Sequence, residues 1–278
     1  MSDFKTIVLC ADDFGLNAGV SHGIIKLVRM RRLSAVSCMT NMPDFNLYAK
    51  DLCALKREVQ TGLHFNLTEG FLLSEPGRPC FRLNSLLVKS HLHLLKPDFI
   101  AKEFNAQLDQ FIQMMGEMPD FIDGHEHVHQ FPGIRNVILD IYEQRIRPHR
   151  TWIRSTYPAV TVPKYWFKGI ILAMAGGRKL HADLEKSTIP HPSYFAGVYD
   201  FAPESDYRTL FKHWLASAPS DILIMCHPGE SLAPTRTRSI EMNYFLSDEF
   251  LNDCQEHQVR LFLPASPKSG EHEAVNRD

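Results

Sequence analysis

Short apolar runs alternate with stretches of helical period along most of this chain. Thr6 to Ala11 is an apolar run closed by the turn-like Asp12-Asp13-Phe14-Gly15, as in a strand buried on both faces. Asn17 is placed to cap a helix running to about Arg31, with Ile24, Ile25, Leu27 and Val28 on its apolar face. Ala35 to Thr40 reads as a second strand, Pro43 opens a helix through Leu55, and Val59 to Leu67 is a third strand. The pattern then predicts a helix from Pro97 to Met115, a strand near Phe121-Ile122, a helix from about Gly133 to Arg145 and a strand from Arg150 to Ser155. Asp221 to Cys226 and Val259 to Phe262 are the last two strands, separated by a helix near Glu241–Cys254. Strand and helix in turn imply crossover connections and a parallel sheet, hence an α/β protein.

Two stretches break this rhythm. Residues 68–96, with Gly70, Pro76, Gly77, Pro79 and the His91/His93 pair, read as a long loop beside the site. Residues 157–204 read as a second loop region around a short helix. With no internal repeat and no clear linker, one domain is expected over residues 1–264, followed by a polar, frayed tail over 265–278.

A length of 278 residues suits one α/β barrel or two small domains. The net charge of -2 argues against a general electrostatic grip on nucleic acid or an anionic membrane. No apolar run reaches the ~18–20 residues of a spanning helix, and the first residues lack a basic segment followed by a long apolar one. A cytoplasmic location is therefore expected. The six cysteines form no C-x-x-C pair, so buried thiols are expected rather than disulfides or a zinc ribbon.

The chemistry-bearing residues gather at predicted strand ends. Asp12 and Asp13 follow the first strand, His64 lies near the end of the third, His125 follows the Phe121-Ile122 strand, and His227 follows a late one. In a parallel sheet ligands collect at the carboxyl ends of the strands, so one rim would hold two carboxylates and at least three imidazoles. A carboxylate with two imidazoles can bind a divalent ion and leave positions open for water and substrate. Adjacent aspartates point different ways from an extended backbone, so one could bind the ion while its neighbour takes a proton.

Blander readings stand beside each of these. Asp-Asp-Phe-Gly could be a plain strand-to-helix turn, and His64 with Asn66 a hydrogen-bonded pair. His125, His127 and His129 alternate, and on an extended segment they would share one face, which favours metal or proton chemistry. His127 and His129 could orient ligands or touch substrate instead of binding the ion.

Ala11-Asp12-Asp13-Phe14-Gly15-Leu16-Asn17, Gly62-Leu63-His64-Phe65-Asn66-Leu67-Thr68 and Asp123-Gly124-His125-Glu126-His127-Val128-His129 together resemble the YdjC-like carbohydrate deacetylases. Cys226-His227-Pro228-Gly229 is similar to that family's late His-Pro motif. Gly124 and Glu126 depart from the family's usual residues there. The resemblance implies a distorted (β/α) barrel with long rim loops. It further implies Asp13, His64 and His125 as ligands of one divalent ion (Mg or Zn first, Mn or Co as alternatives), Asp12 as general base and His227 as general acid. The implied substrate is a small N-acetylated sugar that loses acetate. Around that site, Arg154 would orient Asp12, bind the product carboxylate or form a structural ion pair. His127 and His129 are candidates for substrate contact. Trp152, Tyr194 and Phe195 are candidates for a sugar-stacking surface, with core packing as the alternative.

Two other functions fit parts of the pattern. Two histidines and a carboxylate also suit a non-haem Fe(II) oxygenase, and a catalytically silent sugar-binding barrel could retain the same residues. A homodimer is the default assembly.

Overall fold

The computed structural model describes residues 4–230 and 235–264; the expected polar tail over 265–278 lies outside the described residues. Eight strands, β1 (Lys5–Phe14), β2 (Ala35–Cys38), β3 (Gln60–Phe65), β4 (Phe121–Gly124), β5 (Trp152–Ile153), β6 (Tyr194–Ala196), β7 (Ile222–Cys226) and β8 (Val259–Leu261), form one sheet. Its order is β5-β4-β3-β2-β1-β7-β6, every pair is parallel, and β8 pairs with the first residues of β1. Between β5 and β6 there is no continuous ladder. The chain leaving β5 meets β6 through a single parallel bridge, Ala159 to Phe195. The sheet is thus curled into a distorted barrel with a weak seam.

Helices cover the outer face: α1 (Ala18–Arg29), α2 (Pro43–Cys53), α3 (Leu83–His91), α4 (Pro97–Met115), α5 (Ile134–Ile141), α6 (Trp166–Leu172), α7 (Arg178–Lys186), α8 (Tyr207–Ser217), α9 (Arg236–Leu246) and α10 (Asp248–Glu256). Asn17 caps α1 as expected, its side-chain oxygen accepting from the Val20 amide at 3.0 Å. The helix α4 buries Ile100, Phe104, Leu108, Phe111 and Met115 on one stripe. It stops at Gly116, whose φ of 77° is the left-handed cap a glycine adopts without strain.

Several sequence expectations are corrected. Residues 68–96 contain α3, and residues 157–204 contain α6, α7 and β6. The helix expected near Glu241–Cys254 is two helices, broken where Ser247 turns extended (ψ 163°) and Asp248 and Glu249 open α10. The helix from Gly133 is α5 followed by a single π turn, Tyr142–Ile146. The strand from Arg150 to Ser155 shrinks to Trp152–Ile153.

Period-two sidedness explains the site's position. Ile7, Leu9 and Ala11 of β1, Val36 of β2, Leu63 and Phe65 of β3 and Ile222, Ile224 of β7 pack in the large core that contains the helices. The alternate residues Cys10, Ala35, Phe121, Phe195, Leu223 and Met225 form a smaller apolar plug inside the barrel. One pleat further toward the carboxyl ends, the same inward parity falls on Asp12, Ser37, His64, Asp123 and Arg154, all buried. The barrel interior therefore changes from apolar to polar at its carboxyl end. No helix among the described residues is long and apolar enough to cross a membrane.

Candidate active site

A β-bulge brings both aspartates to one cavity. Against β2, Ala11 pairs with Val36 and Phe14 with Cys38, so β1 carries one extra residue there. Asp13 absorbs it at φ 70°, in the left-handed region. The expectation that the neighbouring aspartates diverge, as on regular extended backbone, is corrected: Asp12 and Asp13 both line the same cavity of about 270 Å³. His64, His125, His127, His227, Phe201, Thr237 and Arg238 also line it.

Asp13 is the hub. Its Oδ1 lies 2.9 Å from His125 Nδ1 and 3.3 Å from His64 Nε2, and its Oδ2 accepts from Arg238. An ion bonded at 2.0–2.1 Å to tetrahedral donors sets them about 3.3 Å apart, so these spacings suit such an ion. One ligand atom from each of Asp13, His64 and His125 lies within 4.8 Å of the other two. The nitrogen of His64 that does not face Asp13 is engaged from behind. Its Nδ1 donates to Asp123 at 2.7 Å, and Ser37 also donates to that carboxylate. A histidine held by a carboxylate while its other nitrogen faces a cavity is the arrangement of metal-ligating imidazoles. The donor set therefore fits a divalent ion.

Charge accounting agrees. Three buried aspartates (Asp12, Asp13, Asp123) face two guanidinium groups (Arg154, Arg238), leaving one negative charge to offset. Without an ion, a proton on His64 supplies it. Burial pushes that imidazole down, but Asp123 and Asp12 outweigh burial and raise it to about 10. Burial pushes Asp13 upward, yet His125 and Arg238 hold it well below the usual carboxylate range.

Arg154, fully buried, donates from Nη1 and Nη2 to the two oxygens of Asp12 at 2.6 Å each and lies 2.6 Å from Asp123 Oδ2. Of its three sequence readings, orienting Asp12 and forming a structural ion pair both match this geometry. Contact with a product carboxylate is corrected, because both terminal nitrogens face Asp12 and Asp123 and the group is out of solvent. Opposite, burial pushes His227 down to about 4. Its amide donates to Glu241 Oε2 at 2.6 Å, and its ring meets Phe201 edge-on at 5.0 Å. Glu241 also accepts from Tyr199 and is raised by burial to about 7.

The histidine run departs from its expected form. Glu126 and His127 have φ of 51° and 59°, so residues 125–130 coil into a tight turn instead of an extended strip. His125 and His127 reach the cavity, whereas His129 points into the protein and donates from Nε2 to the Arg154 carbonyl at 3.0 Å. A substrate contact for His129 is corrected to support of the β5 end. Gly124 is required by this packing, since a Cβ there would sit 2.9 Å from the His129 amide nitrogen. The proposed stacking surface is also corrected. Phe195 is fully buried beneath His127, Trp152 stacks on Phe121, and Tyr194 pairs with Ile222 at the start of β7, away from the cavity. The aromatic ring in the cavity is Phe201.

Sequence reasoning gave no role to Ser37, Phe201, Arg238 or Glu241, and quoted Asp123 only as part of a motif. The available signal was parity for Ser37 and Asp123, and one-turn spacing for Arg238 and Glu241 on α9.

The YdjC-like protein family model matches residues 6–256. A chitooligosaccharide deacetylase of Proteus mirabilis is 33% identical over 149 residues, covering 52% of this chain and 58% of that protein. A carbohydrate deacetylase of Halalkalibacterium halodurans is 30% identical over 157 residues, covering 54% and 65%. The chain thus spans about three-fifths of the length of the curated relatives it matches. Among solved structures, an Enterococcus faecalis V583 protein named for cellobiose-phosphate cleavage superposes with a TM-score of 0.69 at 18% identity, covering 93% and 97%. The Bc1960 peptidoglycan N-acetylglucosamine deacetylase does so at 0.51 and 11%, covering 92% and 84%, and at these identities the likeness is one of fold. The family match over most of the sequence agrees with the geometry of the Asp12, Asp13, His64, His125 and His227 cluster: this chain belongs to the YdjC-like family.

Proposed function

We propose that this protein is a metal-dependent hydrolase that removes the acetyl group from an N-acetylated amino sugar or short oligosaccharide. The observation that carries the reading is one cavity holding the Asp13, His64 and His125 donors beside an arginine-clamped Asp12, with His227 also lining it. The names of the curated relatives point to the same substrate class.

A divalent ion held by Asp13, His64 and His125, zinc or magnesium in our reading, would acidify a water and polarise the acetamide carbonyl. Asp12 then takes the water proton. Arg154 fixes both its oxygens, so the carboxylate cannot rotate toward Asp13. His227 takes up that proton by way of Asp12, hands it to the departing sugar nitrogen and ends the cycle neutral. Because the resting imidazole is held near 4 by burial, it is neutral at pH 7 and gains its proton during turnover. Phe201 offers the ring face for a sugar, and His127 a polar edge opposite it.

The Fe(II) oxygenase alternative is favoured by nothing beyond the donor types. A silent binding barrel would not need a clamped carboxylate next to the donors. The test is acetate release from N-acetylated mono- and oligosaccharides, before and after chelation and on restoring single divalent ions. Release that is lost on chelation and regained with an ion is expected. Sugar binding without acetate under every ion would overturn the proposal.

A further inference from the structure

We propose that His181, Glu185 and His191 form a second metal site, for Zn²⁺ or a similar late first-row ion, that pins the weak seam between β5 and β6. None of the three lines the active cavity, so this assignment does not depend on the deacetylase reading.

His181 and Glu185 stand one turn apart on α7, and His191 lies three residues before β6. A ring nitrogen of each histidine and a carboxylate oxygen of Glu185 lie within 4.8 Å of one another. The His191 Nε2 to Glu185 Oε1 separation is 3.2 Å, close to the edge of about 3.3 Å expected between donors of a tetrahedral zinc.

Hydrogen bonding fixes both rings in the ligating tautomer. His191 Nδ1 lies 2.7 Å from the Ile189 carbonyl, which only accepts, so in the neutral ring the proton is on Nδ1 and Nε2 keeps its lone pair. Ser155 Oγ gives its proton to the Tyr157 carbonyl at 2.8 Å. It can therefore only accept from His181 Nδ1, 3.1 Å away, which again leaves Nε2 as the nitrogen with a lone pair. The two rings meet edge to face at 5.1 Å. An ordinary His–Glu ion pair at this exposed carboxylate would contribute little and would not need the second imidazole.

The location gives the site a purpose. Across the seam, β5 and β6 are joined by the Ile153 amide to the Pro190 carbonyl (3.0 Å) and by the Ala159–Phe195 bridge. Ser155 follows β5, His191 leads into β6, and α7 spans the connection between them. An ion there ties α7 to the segment entering β6, and through the Ser155–His181 hydrogen bond to the end of β5, where the ladder is thinnest.

The experiment is zinc loading of the full chain at a fixed free Zn²⁺ concentration, with bound metal counted per protein. The wild type is compared with Glu185→Ala and His191→Ala. Each variant should hold one zinc fewer than the wild type, with acetate release intact and a smaller zinc-dependent rise in Tm. Equal zinc content in wild type and variants overturns the proposal. Glu185 is exposed, so its variant decides the matter even where His191→Ala does not fold.

Discussion

Arg154 and Asp12 are 142 residues apart in sequence and meet as a buried two-point ion pair, each terminal guanidinium nitrogen 2.6 Å from a carboxylate oxygen. The same guanidinium reaches Asp123, which in turn holds His64. One cation thereby fixes the carboxylate beside the donors and the carboxylate behind one of them. Breaking it should disturb both.

Removing the arginine leaves Asp12 buried without its cation and takes from Asp123 one of its two positive partners. Arg154→Ala should lose about 3–5 kcal/mol of stability, read by denaturant unfolding. Arg154→Lys keeps the charge but loses the paired contact, so we expect a folded protein with reduced kcat and little change in KM. Unchanged kcat in the lysine variant would show that clamping Asp12 is irrelevant to turnover.

The adjacent aspartates should separate by assay. Asp12→Asn is expected to lower kcat by about 10²–10⁴ while leaving the metal content of the cavity intact. Asp13→Asn should lose the metal first. If both variants bound metal and turned over alike, the division of labour between them would be wrong.

Metal binding should release a proton. In the ion-free protein His64 is raised to about 10, so at pH 8 it carries a proton that an ion must displace. Calorimetry in buffers of different ionisation enthalpy should find about one proton released per ion. The apparent affinity should climb between pH 6.5 and 10. By the same linkage, the contribution of His64 to ion-free stability is complete below pH 6.5 and is lost as pH rises through 10. A pH-independent affinity over that window would contradict the charge accounting.

Glu241 gives a second pH signature. Burial raises its carboxyl from 4.5 to about 7, so the folded chain holds this proton more tightly than the unfolded one. Stability from this group is full below pH 4.5, declines as pH climbs to 7, and is flat above. The amplitude is about 3 kcal/mol. Glu241→Gln should remove that slope from a plot of Tm against pH, and an identical slope in both proteins would assign it elsewhere.

Much of the site was legible because strand parity is legible. A run such as Thr6–Ala11 announces a buried strand, and counting in twos from Cys10 reaches Asp12, as counting from Gly62 reaches His64. What sequence patterning could not convey was backbone of positive φ. Glu126 and His127 coil a segment that reads as alternating, and this turns His129 away from the cavity. Nor could it pair residues across the chain, as in Arg154 with Asp12 or Arg238 with Asp13. Tyr194 and Phe195 illustrate the remaining gap. Which aromatic ring meets solvent depends on how the sheet curls, and the curl buries Phe195 while Phe201, from the following loop, takes the cavity wall.

The kinked residue at position 13 has a corollary. On a regular strand, consecutive side chains face opposite sides, and two acids serving one reaction would need separate segments to deliver them. Here a single left-handed dihedral turns the side chains of neighbouring codons into the same cavity, so their closeness originates in the main chain. Straightening residue 13 would send one of the two carboxylates out of that cavity without altering a single side chain.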